Sequence, residues 1–250
     1  MAKAPPPGRC VHCLKTFSTL TWDHGIPLSW YPVGHSGLKV KAPSCQPCQI
    51  RLAKVEHEFL LPLALTLDPT DPLCFGVPQA ARRAIDPTQV PIRGRKPADI
   101  ARDKRAREAL RKKVQSRVFV PTSTRETFPG FGPEHVQGSR IALMGPHTSE
   151  VQTIGEKFAR VAIWSMRGEQ FVEPETEITT HVVNIEDVPE VERFVREGEA
   201  MDIFPGVRIT LHTAAASPRT HISLFEVWGR LKLFVSVIHP PPWSFVLSSR

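Results

Sequence analysis

Apolar residues at helical spacing first occur in the N-terminal quarter of the chain. In residues 49–61 they recur every three or four positions, which predicts an amphipathic helix. Upstream, residues 15–22 alternate weakly between apolar and polar, as in a short strand of a hairpin. Residues 31–42 contain glycine and predict a loop between the strand and the helix. The apolar stripe of the predicted helix consists of Ile50, Leu52, Ala53, Val55, Phe59 and Leu60.

Proline interrupts the middle of the chain. Residues 62–98 contain seven prolines, which predicts a linker with one short helix near residues 79–84. Residues 98–116 are rich in Ala, Arg, Lys and Glu, and Pro97 suits the first turn of a helix. A long helix is therefore predicted there, with a thin apolar stripe typical of a surface helix. We expect residues 119–149, which are rich in Gly and Pro, to form a loop.

From residue 151 onward, patterns typical of strands dominate. We interpret residues 158–164, which are apolar except for Arg160, as a strand. Residues 177–185 and 206–213 alternate between apolar and polar, as half-buried strands do. Residues 223–228 and 231–238 predict a final hairpin that turns at Gly229 and Arg230.

An amphipathic helix is predicted between these strands, at residues 189–199, with Val191, Phe194 and Val195 on one side. The predicted fold class is therefore α+β, with an antiparallel sheet and a helix in the C-terminal half. We expect three parts: a small unit at residues 8–62, a Pro-rich linker with a basic helix at 63–120, and an α+β domain of unknown role at 150–240.

Charge adds one feature to this outline. The chain carries a net charge of +7 with a pI near 9.4. Residues 93–113 contain ten basic and three acidic residues, so the remainder is balanced. Such a block is typical of a phosphate-binding surface, although a solvated surface helix explains it equally well. The candidate nucleic-acid-binding residues are Arg102, Lys104, Arg105, Arg107, Arg111, Lys112 and Lys113.

The sequence contains no candidate for a membrane-spanning helix. Its longest apolar run, residues 59–67, is nine residues long and includes Pro62, which is too short to cross a bilayer. The first eight residues lack the apolar core of a signal peptide. We therefore expect a cytoplasmic protein with no membrane partner.

Four of the five cysteines form two Cys-x-x-Cys pairs near the N-terminus. Cys10 and Cys13 form the first pair, and Cys45 and Cys48 form the second. Each pair can direct two thiolates at one ion at about 2.3 Å, and two pairs complete the tetrahedron of a structural zinc site. Disulfides fit poorly without a secretory signal, and a redox dithiol lacks its usual βαβ context. The remaining cysteine, Cys74, is expected to be a small buried apolar residue.

Asp23 and His24 lie between the two cysteine pairs and precede the turn-prone sequence Gly25-Ile26-Pro27. The motifs together resemble the HNH endonuclease superfamily, whose pattern is Cys-x-x-Cys, then Asp or Glu followed by His-x-x-Pro, then Cys-x-x-Cys-Asn on a helix. The resemblance covers roughly residues 8–62. One subgroup continues with a Glu at the position of Glu56. The matching motifs here are Cys10-x-x-Cys13, Asp23-His24-Gly25-Ile26-Pro27 and Cys45-x-x-Cys48-Gln49.

The resemblance implies a ββα-metal finger whose four cysteines hold structural zinc. Asp23 and Gln49 would bind a catalytic divalent ion, and His24 would deprotonate the attacking water. A neutral imidazole suits that step, and oxygen ligands favour Mg²⁺ or Mn²⁺. The hard ion would neutralise charge on the phosphate and the leaving oxygen. The expected function is metal-dependent hydrolysis of phosphodiester bonds in nucleic acid, with DNA as the first candidate.

This sequence departs from the pattern at one catalytic position. Position 49 holds Gln where the family has Asn, and no Asn occurs between His24 and Cys45. Glu56 lies two turns further along the predicted helix, where it either orients Gln49 or is solvated. The alternative function is therefore a catalytically degenerate zinc-finger module that binds nucleic acid or a protein partner. In the C-terminal half, the only candidate for a further metal site is the set His181, His212 and His221, which more often are ordinary sheet residues.

Overall fold

The computed structural model describes residues 4–35, 40–65, 67–118, 148–183, 188–204, 206–215, 217–229 and 231–239. Most of the loop expected at residues 119–149 therefore lies outside the described residues. So does Arg230 of the predicted hairpin turn.

Two short antiparallel strand pairs and a helix form the N-terminal part. β1 (Gly8–Arg9) pairs with β2 (Thr16–Phe17), and β3 (Thr21–His24) pairs with β4 (Lys41–Ser44). After Cys45 the chain enters α1 (Gln46–Leu65) directly. The single strand predicted at residues 15–22 is thus two strands. The predicted helix is confirmed and extends beyond both predicted ends.

The buried face of α1 differs from the predicted stripe in its first turns. Leu52, Phe59 and Leu60 are buried, as expected from their spacing. Ile50 is 65% exposed, so the apolar face effectively begins at Leu52. The first turn of α1 instead carries Cys48, which is buried among the other cysteines of the N-terminal part.

Two helices and three 3₁₀ turns follow or interrupt this part. The turns are Leu28–Trp30, Pro72–Cys74 and Pro87–Gln89. The short helix predicted in the linker is confirmed as α2 (Val77–Ile85), and the long basic helix as α3 (Pro97–Val118). Arg107 of α3 donates to the carbonyl oxygens of Arg83 and Asp86, at 2.7 and 3.2 Å. This contact attaches α3 to the C-terminal end of α2.

The C-terminal half is a five-stranded antiparallel sheet with two helices. The elements are α4 (Thr148–Met166), β5 (Glu177–Val182), α5 (Val188–Val195), β6 (Glu199–Phe204), β7 (Val207–Thr213), β8 (His221–Val227) and β9 (Leu231–Ile238). The strand order is β5–β9–β8–β7–β6, so each strand after β6 pairs with its predecessor and β5 lies at one edge. In the chain, α4 precedes the sheet and α5 lies between β5 and β6.

The strand predicted at residues 158–164 is wrong, because these residues form the second half of α4. An apolar run is typical of a buried helix as well as of a buried strand. Here Phe158, Ala159 and Val161 are all nearly inaccessible, so burial on most sides hid the helical period. The helix predicted at residues 189–199 ends at Val195, and β6 begins at Glu199.

One hydrophobic cluster includes side chains from both halves of the chain. Trp30 is fully buried, and its ring centroid lies 5.7 Å from that of Phe59, 5.7 Å from Phe158 and 5.5 Å from Trp228. The indole N–H of Trp228 also donates to the carbonyl oxygen of Trp30 at 3.0 Å. The sheet therefore packs against the N-terminal part and positions α4 beside β3 and α1. Among the described residues, no helix has both the length and the hydropathy needed to cross a bilayer.

Candidate metal centre and the adjoining charged cluster

The four paired cysteines converge on one point. Cys10 and Cys13 lie in the turn between β1 and β2, while Cys45 and Cys48 lie at the start of α1. Their sulfur atoms all lie within 4.8 Å of one another. Tetrahedral zinc with bonds of about 2.3 Å separates two sulfurs by about 3.8 Å, and Sγ of Cys13 lies 3.8 Å from Sγ of Cys45. The group therefore fits one zinc ion, as in a zinc finger.

Backbone N–H groups favour the thiolate form of Cys10, whereas burial raises the pKa of Cys45 and Cys48. Burial opposes ionisation of Cys10, but backbone N–H groups of Cys13, Cys45 and His12 bond its sulfur and lower the pKa of the thiol to about 7. The N–H of Cys45 donates to Sγ of Cys10 at 3.4 Å. All four cysteines are free thiols, and the 3.8 Å separation far exceeds the disulfide bond length of about 2.05 Å. Cys74 is buried as expected, away from this group.

Asp23 faces the cysteine turn, and its histidine partner is His12. Nε2 of His12 lies 2.9 Å from Oδ2 of Asp23, and both side chains are largely buried. Although burial would raise the pKa of Asp23, the hydrogen bond from His12 and the charge of Lys157 hold it below the usual value. Asp23 is therefore ionised, and one of its two oxygens accepts a hydrogen bond from the imidazole of His12, which lies between Cys10 and Cys13.

The second oxygen of Asp23 contacts a lysine from the other half of the chain. Nζ of Lys157, on α4, lies 3.4 Å from Oδ1 of Asp23 and also forms an ion pair with Glu56 of α1. The lysine side chain is only 1% exposed, against 14% for Asp23 and 13% for Glu56. Burial raises the pKa of Glu56 despite the opposing effect of the ammonium. We call Asp23, Glu56, Lys157 and His12 the charged cluster.

The other two predicted catalytic residues lie apart from the contacts of Asp23. Nε2 of Gln49 donates to Oγ1 of Thr21 at 2.6 Å. His24 follows Asp23 in β3, opposite Lys41. Neighbouring side chains in a strand leave opposite faces, so the His24 imidazole does not share the face on which Asp23 meets His12. Glu56, expected either to orient Gln49 or to be solvated, instead contacts Lys157.

Some basic side chains of α3 form hydrogen bonds or ion pairs within the protein, and others form no ion pair. Arg107 binds the end of α2, and Lys113 forms a 2.8 Å ion pair with Glu58 of α1. Arg102 lies 3.1 Å from Asp99, and Lys112 lies 4.0 Å from Glu108, but both basic side chains remain more than 70% exposed. Arg105 donates to the carbonyl of Ala101 in its own helix. Lys104 and Arg111 are exposed and form no ion pair with any described residue.

The three histidines of the sheet do not form a metal site. Within the described ranges, the four cysteines are the only group of three or more metal-ligating side chains close enough to share an ion. His181 lies on β5, which β9 separates from the strands of the other two. His212 on β7 and His221 on β8 lie on neighbouring strands, but they are not paired with each other in the register. All three are ordinary residues of the sheet, the alternative to a metal site that the sequence analysis favoured.

Sequence reasoning missed His12 and Lys157. His12 lies inside the first Cys-x-x-Cys turn, where the motif allows any residue. Lys157 is 134 residues from Asp23 and follows Gly155 and Glu156, so its local sequence does not mark it as a buried residue.

Comparisons with protein-family models, with curated proteins and with solved structures found no match. The likeness to HNH fingers therefore rests on the sequence motifs quoted above.

Proposed function

We propose that this chain is a zinc-stabilised module, related to the HNH finger, that binds the phosphate backbone of nucleic acid without cutting it. The observation that carries the proposal is the ion pair of Lys157 with Asp23 and Glu56. In a metal-dependent nuclease the acid of the finger must accept a divalent ion. Here that acid already has a cationic partner, and the zinc group remains to hold the scaffold.

The surroundings of Asp23 support the same conclusion. The second proposed ligand, Gln49, uses its amide nitrogen on Thr21. A nuclease of this type needs the acid, the amide and the base around one ion, and these contacts favour a module that kept the finger scaffold and lost the reaction.

Two exposed basic side chains of α3 support nucleic acid as the partner. Lys104 and Arg111 are both exposed, and they lie one turn on either side of Arg107, which attaches the helix to the end of α2. These two residues are seven positions apart, so they lie on one face over two helical turns. Exposed lysines and arginines aligned in this way contact phosphates without reading sequence.

The test is binding of a fluorescent DNA duplex, measured by anisotropy at several salt concentrations. Replacing Lys104 and Arg111 with alanine should weaken binding and reduce the slope of log affinity against log salt by about 2, since each phosphate contact contributes about 0.9. The matched control removes the same charge elsewhere: Arg193 and Arg208 are exposed basic residues of the C-terminal half. Equal loss in both double variants, or no binding by the wild type, contradicts the proposal.

The second candidate is the metal-dependent endonuclease, with Asp23 and Gln49 as metal ligands and His24 as base. One observation favours it: the lowered pKa of Asp23 keeps this carboxylate ionised, as a metal ligand must be. The same protein incubated with plasmid DNA and Mg²⁺ or Mn²⁺ decides between them. We expect no nicking; nicking that falls at least about 10²-fold in His24→Ala would establish the enzyme instead.

A further inference from the structure

Lys157 lies where three separate elements of the fold meet. Its ammonium comes from α4, Asp23 from β3 and Glu56 from α1, and the lysine side chain is 1% exposed. A buried ammonium costs several kcal/mol unless it is paired and hydrogen-bonded. The two carboxylates supply that pairing, so the position is suited to hold one cation.

The donor atoms around the ammonium are those of a hard divalent-cation site. Asp23 and Glu56 each direct a carboxylate oxygen at the ammonium, and Nε2 of His12 bonds the other oxygen of Asp23 at 2.9 Å. Carboxylate oxygens suit Mn²⁺ and Mg²⁺. One ammonium balances only one of the two carboxylate charges, whereas a divalent ion would balance both.

Close packing along α4 fixes Lys157 in this position. One turn beyond the lysine, Val161 lies against Gly25, where even an added Cβ would come within 2.8 Å of its side chain. Two turns beyond it, the ring of Trp164 lies 6.1 Å from that of Trp22. The lysine therefore cannot leave the cluster through movement of the helix without breaking the contact between α4 and β3.

We infer that Lys157 is a tethered cation that occupies the place of a divalent ion between the carboxylates of Asp23 and Glu56. This inference rests on the proposed function and deepens it, because it names the residue that keeps the finger from binding a catalytic ion. In the wild-type chain the ammonium excludes the ion. In a chain without the ammonium, Mn²⁺ takes its place between the same carboxylates.

The experiment is Mn²⁺ binding to the zinc-loaded full chain, measured by electron paramagnetic resonance of the free ion. Zinc saturates the cysteine group, so the thiolates do not compete for Mn²⁺. Lys157→Met keeps an unbranched apolar chain and removes the charge. We expect saturable binding of one Mn²⁺ per chain in Lys157→Met, no such site in the wild type, and at least tenfold weaker binding in the double variant Lys157→Met/Glu56→Gln.

Thermal unfolding tests the same inference independently. Lys157→Met leaves two buried carboxylates unpaired and should unfold at a lower temperature than the wild type. Because an ion that binds only the folded state stabilises it, Mn²⁺ should raise the midpoint of Lys157→Met and leave that of the wild type unchanged.

Three outcomes overturn the inference. The first is a saturable Mn²⁺ site in the wild type that Asp23→Asn removes, and the second is equal Mn²⁺ binding by the wild type and Lys157→Met. The third is a Lys157→Met chain whose unfolding midpoint millimolar Mn²⁺ does not raise. None of these measurements involves nucleic acid. Failure of DNA binding would therefore refute the proposed function while leaving the tethered cation to its own test.

Discussion

His221 is a buried imidazole whose surroundings keep it neutral. It is 1% exposed, and its Nδ1 lies 3.0 Å from the hydroxyl of Thr213 on the neighbouring strand. That hydroxyl also accepts a hydrogen bond from Nε of Arg167, which forms an ion pair with Glu199. Burial, and then the positive charge of Arg167, lower the pKa of His221 to about 4.

The low pKa of His221 predicts that acid destabilises the fold through this residue. Between the unfolded pKa of about 6.5 and the folded value of about 4, the unfolded chain binds a proton that the folded chain excludes. The free energy of unfolding should therefore fall by about 1.4 kcal/mol per pH unit as pH decreases through this window. Above about pH 6.5 this residue should cause no pH dependence.

Denaturant unfolding of the wild type and of two variants across about pH 4 to 7.5 measures this contribution. His221→Asn keeps a polar atom near Thr213, and His221→Phe does not. Neither side chain titrates, so both should lose the same pH-dependent component although their stabilities differ. If either variant followed the wild-type pH profile, another group would be the source of the effect.

At the scale of the element, the cysteine group holds the β1–β2 turn against the start of α1. These strands are two residues long, and binding of structural zinc contributes on the order of 10 kcal/mol to folding in small zinc fingers. We predict that removing zinc with a chelator, or replacing Cys48 with Ser, abolishes amide protection in this turn and in the first turn of α1. His12 lies in the same turn, so its contact with Asp23 should also be lost.

Zinc content by mass spectrometry and hydrogen exchange measure this outcome. Cys74→Ser is the matched control, because Cys74 is an equally buried thiol outside the group. It should keep one zinc ion per chain and normal protection. Protection that persists after zinc loss would show that the strand pairs hold without the metal.

The sequence predicted the elements that are determined by the pattern of neighbouring residues in the chain. Cys-x-x-Cys spacing predicted the cysteine group, proline at the first turn predicted α3, and alternation predicted β5 and β7. It did not predict α4, because its period is hidden where nearly every side chain is buried, as at Phe158 and Ala159. Nor did it predict the strand β6, since the amphipathic pattern before it does not mark where α5 ends at Val195.

The sequence predicts some residues of the candidate site but not the contacts between them. The motif identifies Asp23, whereas the partners of Asp23 depend on tertiary packing. Lys157 reaches it only because α4 packs against α1 and β4. An imidazole was expected beside the acid, and the one in contact is His12, because alternation in β3 directs His24 to the other face.

At the scale of the whole molecule, the aromatic contacts of Trp30 join the two halves. Phe59 comes from α1, Phe158 from α4 and Trp228 from the end of β8, and all three rings pack on Trp30. Because the same side chain is part of the packing of both halves, its loss should destabilise the N-terminal part and the sheet together. The charged cluster depends on the same arrangement, since α4 carries both Phe158 and Lys157.

We therefore predict that Trp30→Ala lowers the free energy of unfolding by about 3–5 kcal/mol, as for other buried aromatic residues. Hydrogen exchange should show the loss of protection in β3 and β4 and in β8 and β9 by a similar amount, within a single denaturant transition. Phe194→Ala is the control, since Phe194 is 55% exposed, and it should change stability by less than about 0.5 kcal/mol. Two separate transitions in Trp30→Ala, with the sheet unaffected, would show that the halves are stable independently. In that case the contact between Lys157 and Asp23 would be an interface between two units, and the ammonium could leave the acid without unfolding either.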